Sequence, residues 1–150
     1  MATYGPHNAT LTVHTKRGGA AAKAGHDLTI LVERWSATDD DGELSVEADS
    51  RSLRVIEGSG GITSLGDEEK ASISQTIDEE VLKGAPITYR AGQLTLNGVT
   101  RPIDVSYDGT EGRAEIKQTD FKIKPYSALF GTLKVADVVE VRVRRTDGRA

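Results

Sequence analysis

Apolar and polar residues alternate one by one through the first third of this chain and again through its last third. Leu11 and Val13 oppose Thr10, Thr12 and His14, and Leu28, Ile30 and Val32 oppose Thr29, Leu31, Glu33 and Trp35. After the acidic turn Asp39-Asp40-Asp41-Gly42, Leu44, Val46 and Ala48 oppose Ser45, Glu47 and Asp49. Successive strand side chains point to opposite faces, so this period of two predicts half-buried antiparallel strands with one face on a core. In the last third, strands are expected over residues 87–89, 93–97, 101–107, 113–118 and 131–145, the last kinked near Ala136-Asp137. Asn97-Gly98 between two alternating runs is a strong hairpin signal, because both residues tolerate positive φ. Asp108-Gly109 and Glu111-Gly112 supply further turn chemistry.

The middle of the chain changes period. Ile73, Ile77 and Val81 recur every four residues, with Ala71, Thr76 and Leu82 beside that stripe. Gly66-Asp67-Glu68-Glu69 offers a cap and acids for the positive end of a helix dipole, while Lys83-Gly84 and then Pro86 supply a stop. One short amphipathic helix is predicted near residues 67–83, packed against the sheet. Closely spaced strands with a single helix describe an all-β domain, a barrel or a sandwich. An antiparallel up-and-down barrel of about eight strands is favoured, since closure removes exposed sheet edges.

Length fits one domain spanning residues 1–150, large enough to bury a core without staples. The net charge of −4 argues against a general nucleic-acid binder, which needs clustered cations. Arg142-Val143-Arg144-Arg145 with Arg149 reads as a solvated last strand and tail. With no cysteine, disulfides and thiol chemistry are excluded. No apolar run is long enough to span a bilayer, and the first residues lack a secretion signal, so a cytoplasmic setting is expected. A homodimer is left open.

Candidate chemistry is sparse. His26-Asp27 would suit a general base with its orienting acid, or a metal site with His7 and His14, but strand neighbours point apart and no ligand spacing is present. The carboxylate pairs lie in a turn, at a helix start and on a helix face, and no serine stands in a nucleophile elbow. Gly58-Ser59-Gly60-Gly61 lacks the lysine and βαβ context of a phosphate loop and reads as a flexible loop. No enzymatic activity, metal or cofactor is expected. The inward face offers Leu28, Ile30, Val32, Leu44, Val46, Ala48, Leu94, Leu96, Ile103, Val105, Ile116, Val139, Val141 and Val143. An eight-stranded barrel is filled by such side chains or holds one small ligand, and the residues alone leave both open.

Three segments carry a resemblance. Leu94-Thr95-Leu96-Asn97-Gly98-Val99-Thr100-Arg101-Pro102, then Asp120-Phe121-Lys122-Ile123-Lys124-Pro125-Tyr126, then the closing strand over residues 135–143 are similar to the YceI-like family. The likeness runs from about residue 25 to 143 and is strongest in the second half. Ala24-Gly25-His26-Asp27-Leu28 resembles an early strand of its short cytoplasmic branch, although many members are exported. The resemblance implies a lipocalin-like barrel that binds a polyprenyl chain, an isoprenoid quinone or another long apolar molecule without transforming it. Tail contacts would come from Leu28, Ile30, Val32, Trp35, Leu44, Val46, Leu94, Leu96, Ile103, Val105, Ile116, Phe121, Tyr126 and Val141, with His26 or Arg101 meeting a head group. The alternatives are a side-chain-filled barrel serving as a stress-associated or interaction module and, third, a hydrolase or metalloenzyme around His26. One departure stands out: only Ala91-Gly92 separates two runs that the family usually spaces further apart, so the hairpin is very tight or the two strands merge.

Overall fold

The computed structural model describes residues 2–16, 27–59, 66–108, 110–123, 127–128, 133–134 and 136–146. The early strands are β1 (Ala2–Tyr4), β2 (Ala9–His14), β3 (Asp27–Val32), β4 (Trp35–Asp40), β5 (Glu43–Ala48) and β6 (Leu53–Ser59). Helix α1 (Asp67–Thr76) runs into a π-helical turn (Ile77–Leu82). Then come β7 (Ile87–Arg90), β8 (Gln93–Leu96), β9 (Val99–Pro102), β10 (Val105–Tyr107) and β11 (Glu111–Lys117). A 3-10 turn (Gln118–Phe121) precedes β12 (Ser127–Ala128), β13 (Leu133–Lys134) and β14 (Val138–Arg145).

Three of the hairpin turns have positive φ at both central residues: Asp41 and Gly42, Ala91 and Gly92, Asn97 and Gly98. Such primed turns match the right-handed strand twist. The Ala91-Gly92 pair therefore closes a true two-residue hairpin, with Arg90 opposite Gln93, and β7 and β8 do not merge. The acidic turn is also shorter than expected. Asp39 and Asp40 are strand residues, and Asp41-Gly42 alone makes the corner. Gly58 and Ser59, expected in a loop, instead extend β6 opposite Leu28 and Asp27.

The strands form two antiparallel six-stranded sheets, ordered β1-β4-β5-β7-β8-β9 and β10-β11-β14-β2-β3-β6, with β12 and β13 as a separate pair. Among the described residues no strand ladder joins the two sheets into one, but the main chain crosses between them repeatedly. β3 passes into β4 at Glu33-Arg34, and its partner β5 passes into β6 at residues 49–52. Glu33 N–H to Ser52 O and Asp49 N–H to Arg34 O, each 2.9 Å, hold these two bends together. β9 passes into β10 at Ile103-Asp104, and β1 into β2 at residues 5–8.

The bend at Glu33-Arg34 explains one departure from simple alternation. Two intervening residues reset the phase, so Trp35, expected beside Thr29 and Leu31, is buried with Val32, Ala37, Ala9 and Leu11. A bulge between Thr29 and Ile30 against β6 similarly buries Val55 while leaving Ile56 exposed.

The helical segment spans residues 67–82, as its periodicity predicts, and widens into a π-helical turn over its last six residues. Gly66 caps it without a side-chain bond, and the Lys83 N–H reaches Asp78 O at 2.9 Å. The wide turn brings Leu82, five residues beyond Ile77, onto the apolar stripe. Lys83 and Gly84 then take left-handed φ of 53° and 75°, ending the helix as a C-terminal cap should. Arg51 ties this end to the bend between β5 and β6 through Asp78 at 3.1 Å.

Candidate functional site

Between the two sheets lies an apolar cavity of about 240 Å³. Of the residues expected inside, Leu28, Ile30, Val32, Leu44, Val46, Leu94, Leu96, Ile103, Val105, Ile116 and Val141 line it, together with Ala48, Val139 and Val143. Trp35 and Phe121 belong to the packed wall and are not among the lining residues. Phe121 sits in the 3-10 turn at 1% exposure, wedged with Leu82, Leu94, Ile116, Ile123 and Val139. Tyr126 and His26 lie outside the described residues. Arg101, considered for a head group, is exposed and donates from Nε to Asp120 O at 2.7 Å.

Several lining residues were not in the expected set. Leu11 and Val13 had the right alternation, while Ile73, Ile77 and Leu82 bring the helix across one end of the cavity. Tyr107 follows Ile103 and Val105 in phase, so its inward position was readable. Tyr4 sits in a three-residue strand that no alternation announces.

Tyr4 and Tyr107 bring polar groups to the largely apolar wall, as do Thr15, Thr110, Arg113, Gln118 and Arg145. The Tyr107 hydroxyl lies 2.9 Å from Asp39 Oδ2 and 3.2 Å from the Tyr4 hydroxyl. Burial pushes the Tyr107 phenol up, and its bonds with Tyr4 and Asp39 add to the shift, so it stays protonated. Asp39 Oδ1 accepts the Gly42 N–H at 2.8 Å. The Arg145 guanidinium lies over the Tyr4 ring at 5.9 Å, within cation–π range.

His7 is exposed; His14 stands opposite Glu140 and its Nε2 lies 2.9 Å from Thr12 Oγ1. Among the described residues no group of three or more His, Asp or Glu side chains could hold a metal ion.

The segments that carried the resemblance interlock around the Asn97-Gly98 turn. Asn97 Nδ2 donates to Phe121 O at 3.1 Å and Lys122 O at 3.4 Å. Asp137 in turn accepts the Thr119 N–H at 2.9 Å and the Thr119 hydroxyl at 2.6 Å. A family profile, the YceI-like domain, matches residues 68–146. The chain belongs to the YceI-like family. In YceI-like terms the matched part runs from the helix through β14, so these interlocking segments and most of the cavity wall lie inside it. The fold is similar to the crystal structure of Burkholderia cenocepacia BcnA, with a TM-score of 0.52 over 91% of this chain and 94% of that one at 16% identity. A search of curated proteins finds no match. Among the described residues no helix is long and apolar enough to cross a membrane.

Proposed function

We propose that this YceI-like protein holds an elongated apolar molecule of isoprenoid type, a polyprenyl chain or prenylated quinone, and carries it without chemical change. The observation that carries the reading is the apolar cavity between the sheets. At about 240 Å³ it exceeds the ~150 Å³ apolar void that stays dry and accepts benzene. Each Å² of apolar ligand surface withdrawn from water contributes ~25 cal/mol, so a chain with many methyl and methylene groups gains most. YceI-like proteins generally bind lipids of this kind, which supports the choice of ligand class.

We further infer a closed, lipocalin-like, up-and-down barrel. Counting each bent pair as one segment gives eight in the circuit: β1/β2, β3/β4, β5/β6, β7, β8, β9/β10, β11 and β14. Each segment pairs with the next, and β14 returns to β2 through Glu140 to Arg145 against His14 to Ala9. Such a ring has an interior wide enough for one small ligand.

Organic extraction of the purified protein followed by mass spectrometry tests the reading. A prenyl lipid recovered in stoichiometric amount is the expected result. A clean extract, together with no binding of the apolar fluorophore N-phenyl-1-naphthylamine, would overturn it and leave a barrel without a guest.

A further inference from the structure

We propose that an apolar guest enters and leaves sideways, through a notch in the wall between β5 and β10, and that the Tyr107 side chain is the strap across that notch. This rests on the carriage reading and adds the route by which the chamber fills.

The notch follows from strand lengths. The β7–β8 hairpin turns at Ala91-Gly92, just past the Arg90 and Gln93 pair, and the next segment is tied to that turn by Ile103 N–H to Gly92 O at 3.0 Å. The strands on either side run on beyond it. β5 pairs with β7 only from Val46 to Ala48, so among the described residues Glu43, Leu44 and Ser45 have β4 on one side and no strand on the other. β10 pairs only with β11, so Val105, Ser106 and Tyr107 carry a second open edge, on the side that faces back toward β5. Past the turn the wall therefore lacks two strands, which at strand spacing leaves roughly 14 Å between the flanking backbones. Leu44 and Val105, one on each edge, line the chamber and are half-buried, so the gap leads into it.

One side chain spans the gap. Tyr107 leaves β10, and its hydroxyl donates to Asp39 Oδ2 on β4 at 2.9 Å, with the Tyr4 hydroxyl of β1 3.2 Å away. β4 and β1 lie beyond β5 in the sheet order, so the phenol crosses the full width of the missing strands. A paired wall opens only when several main-chain bonds break together. Here closure depends on one side-chain rotamer and its bond to a carboxylate. The rival route lies beneath the helical segment. That segment is fastened by Arg51 to Asp78 at 3.1 Å and by Val55 N–H to Ser74 Oγ at 2.9 Å, and it seats Ile73, Ile77 and Leu82 in the chamber wall. Lifting it strips apolar surface as well as bonds, so the notch is the easier opening.

Asp39 is not a lining residue, so loosening the strap weakens the closed state equally with and without a guest. Entry and exit then quicken by one factor and affinity stays put. Stopped-flow fluorescence of N-phenyl-1-naphthylamine with the lipid-free full chain measures both rate constants. Asp39→Ala should raise each about tenfold at unchanged Kd, the size of one hydrogen bond to a charged group. Asp39→Asn, which can bond both the phenol and the Gly42 N–H, should stay close to the unmodified rates. Arg51→Ala, which frees the helix end instead, should leave them as they are. Two strand residues inserted on each side of Ala91-Gly92 lengthen the hairpin by about 7 Å and fill the notch, and both rate constants should fall together.

Faster exchange in Arg51→Ala with none in Asp39→Ala would move the route to the helix and overturn the notch while leaving carriage intact. Undiminished entry past the lengthened hairpin would do the same. A weaker Kd in Asp39→Ala with unchanged association would make this end a contact rather than a strap, and also overturns the proposal. An unmodified chain that takes up no fluorophore removes carriage and the route together.

Discussion

Asn97 performs two tasks that pull on different parts of its chemistry. Its backbone takes φ of 52° in the hairpin turn, and its amide donates to Phe121 O and Lys122 O. Asp tolerates the same backbone but has no proton to donate. Asn97→Asp should therefore preserve the hairpin while setting a carboxylate against two carbonyls, at a cost of about 1–3 kcal/mol by urea unfolding. Asn97→Gly, which only loses the bond, should cost less. Asp137 gives the matching prediction in pH. The Thr119 hydroxyl, followed by the Thr119 N–H, holds its carboxyl below the ordinary 3.8. A depressed carboxyl contributes stability that is complete above the unfolded value and is lost as pH falls through the folded one. Melting temperature should thus drop in acid below about pH 4, and Asp137→Asn should flatten that part of the profile.

At the scale of elements, legibility in the sequence followed how local the cause was. The Asn97-Gly98 turn, the alternation of Leu28, Ile30 and Val32, and the helical stripe were readable because neighbours within a few residues decide them. The two-residue turn at Ala91-Gly92 was ambiguous, since alanine gives no hint of its φ of 51°. Alternation alone put Trp35 on the outward face, because the bend at Glu33-Arg34 that turns it inward depends on a distant pairing with Asp49 and Ser52. Tyr4 was missed for the same reason: its place comes from pairing with Ala37. Two glycines separate local from tertiary demands. Gly92 and Gly84 both have positive φ, but a Cβ at Gly92 meets open space whereas one at Gly84 lies 2.6 Å from the Arg51 guanidinium. Gly92→Ala should cost about 1–2 kcal/mol in conformational strain alone. Gly84→Ala should cost more, because Arg51 must also leave Asp78, and thermal melts of the two variants give the difference.

For the whole molecule, the cavity makes stability and occupancy inseparable. A guest that binds only the folded state adds about 2.7 kcal/mol at a hundredfold excess over its Kd. Val46 lines the chamber from β5 and is half-buried. Val46→Trp should fill the void with an indole and keep the fold within about 1–3 kcal/mol. It should also lose fluorophore binding and the rise in melting temperature that an added prenyl lipid gives the unmodified chain.

The corners at residues 33–34 and 49–52 are made of covalent chain, with hydrogen bonds only tying one elbow to its neighbour. Strain applied to one wall therefore reaches the other through peptide bonds, and neither can loosen by itself. Deuterium uptake should report this as a single opening event, with amides of β3 and β6 exchanging in step with those of β4 and β5. Two separate exchange regimes would mean that the elbows flex independently.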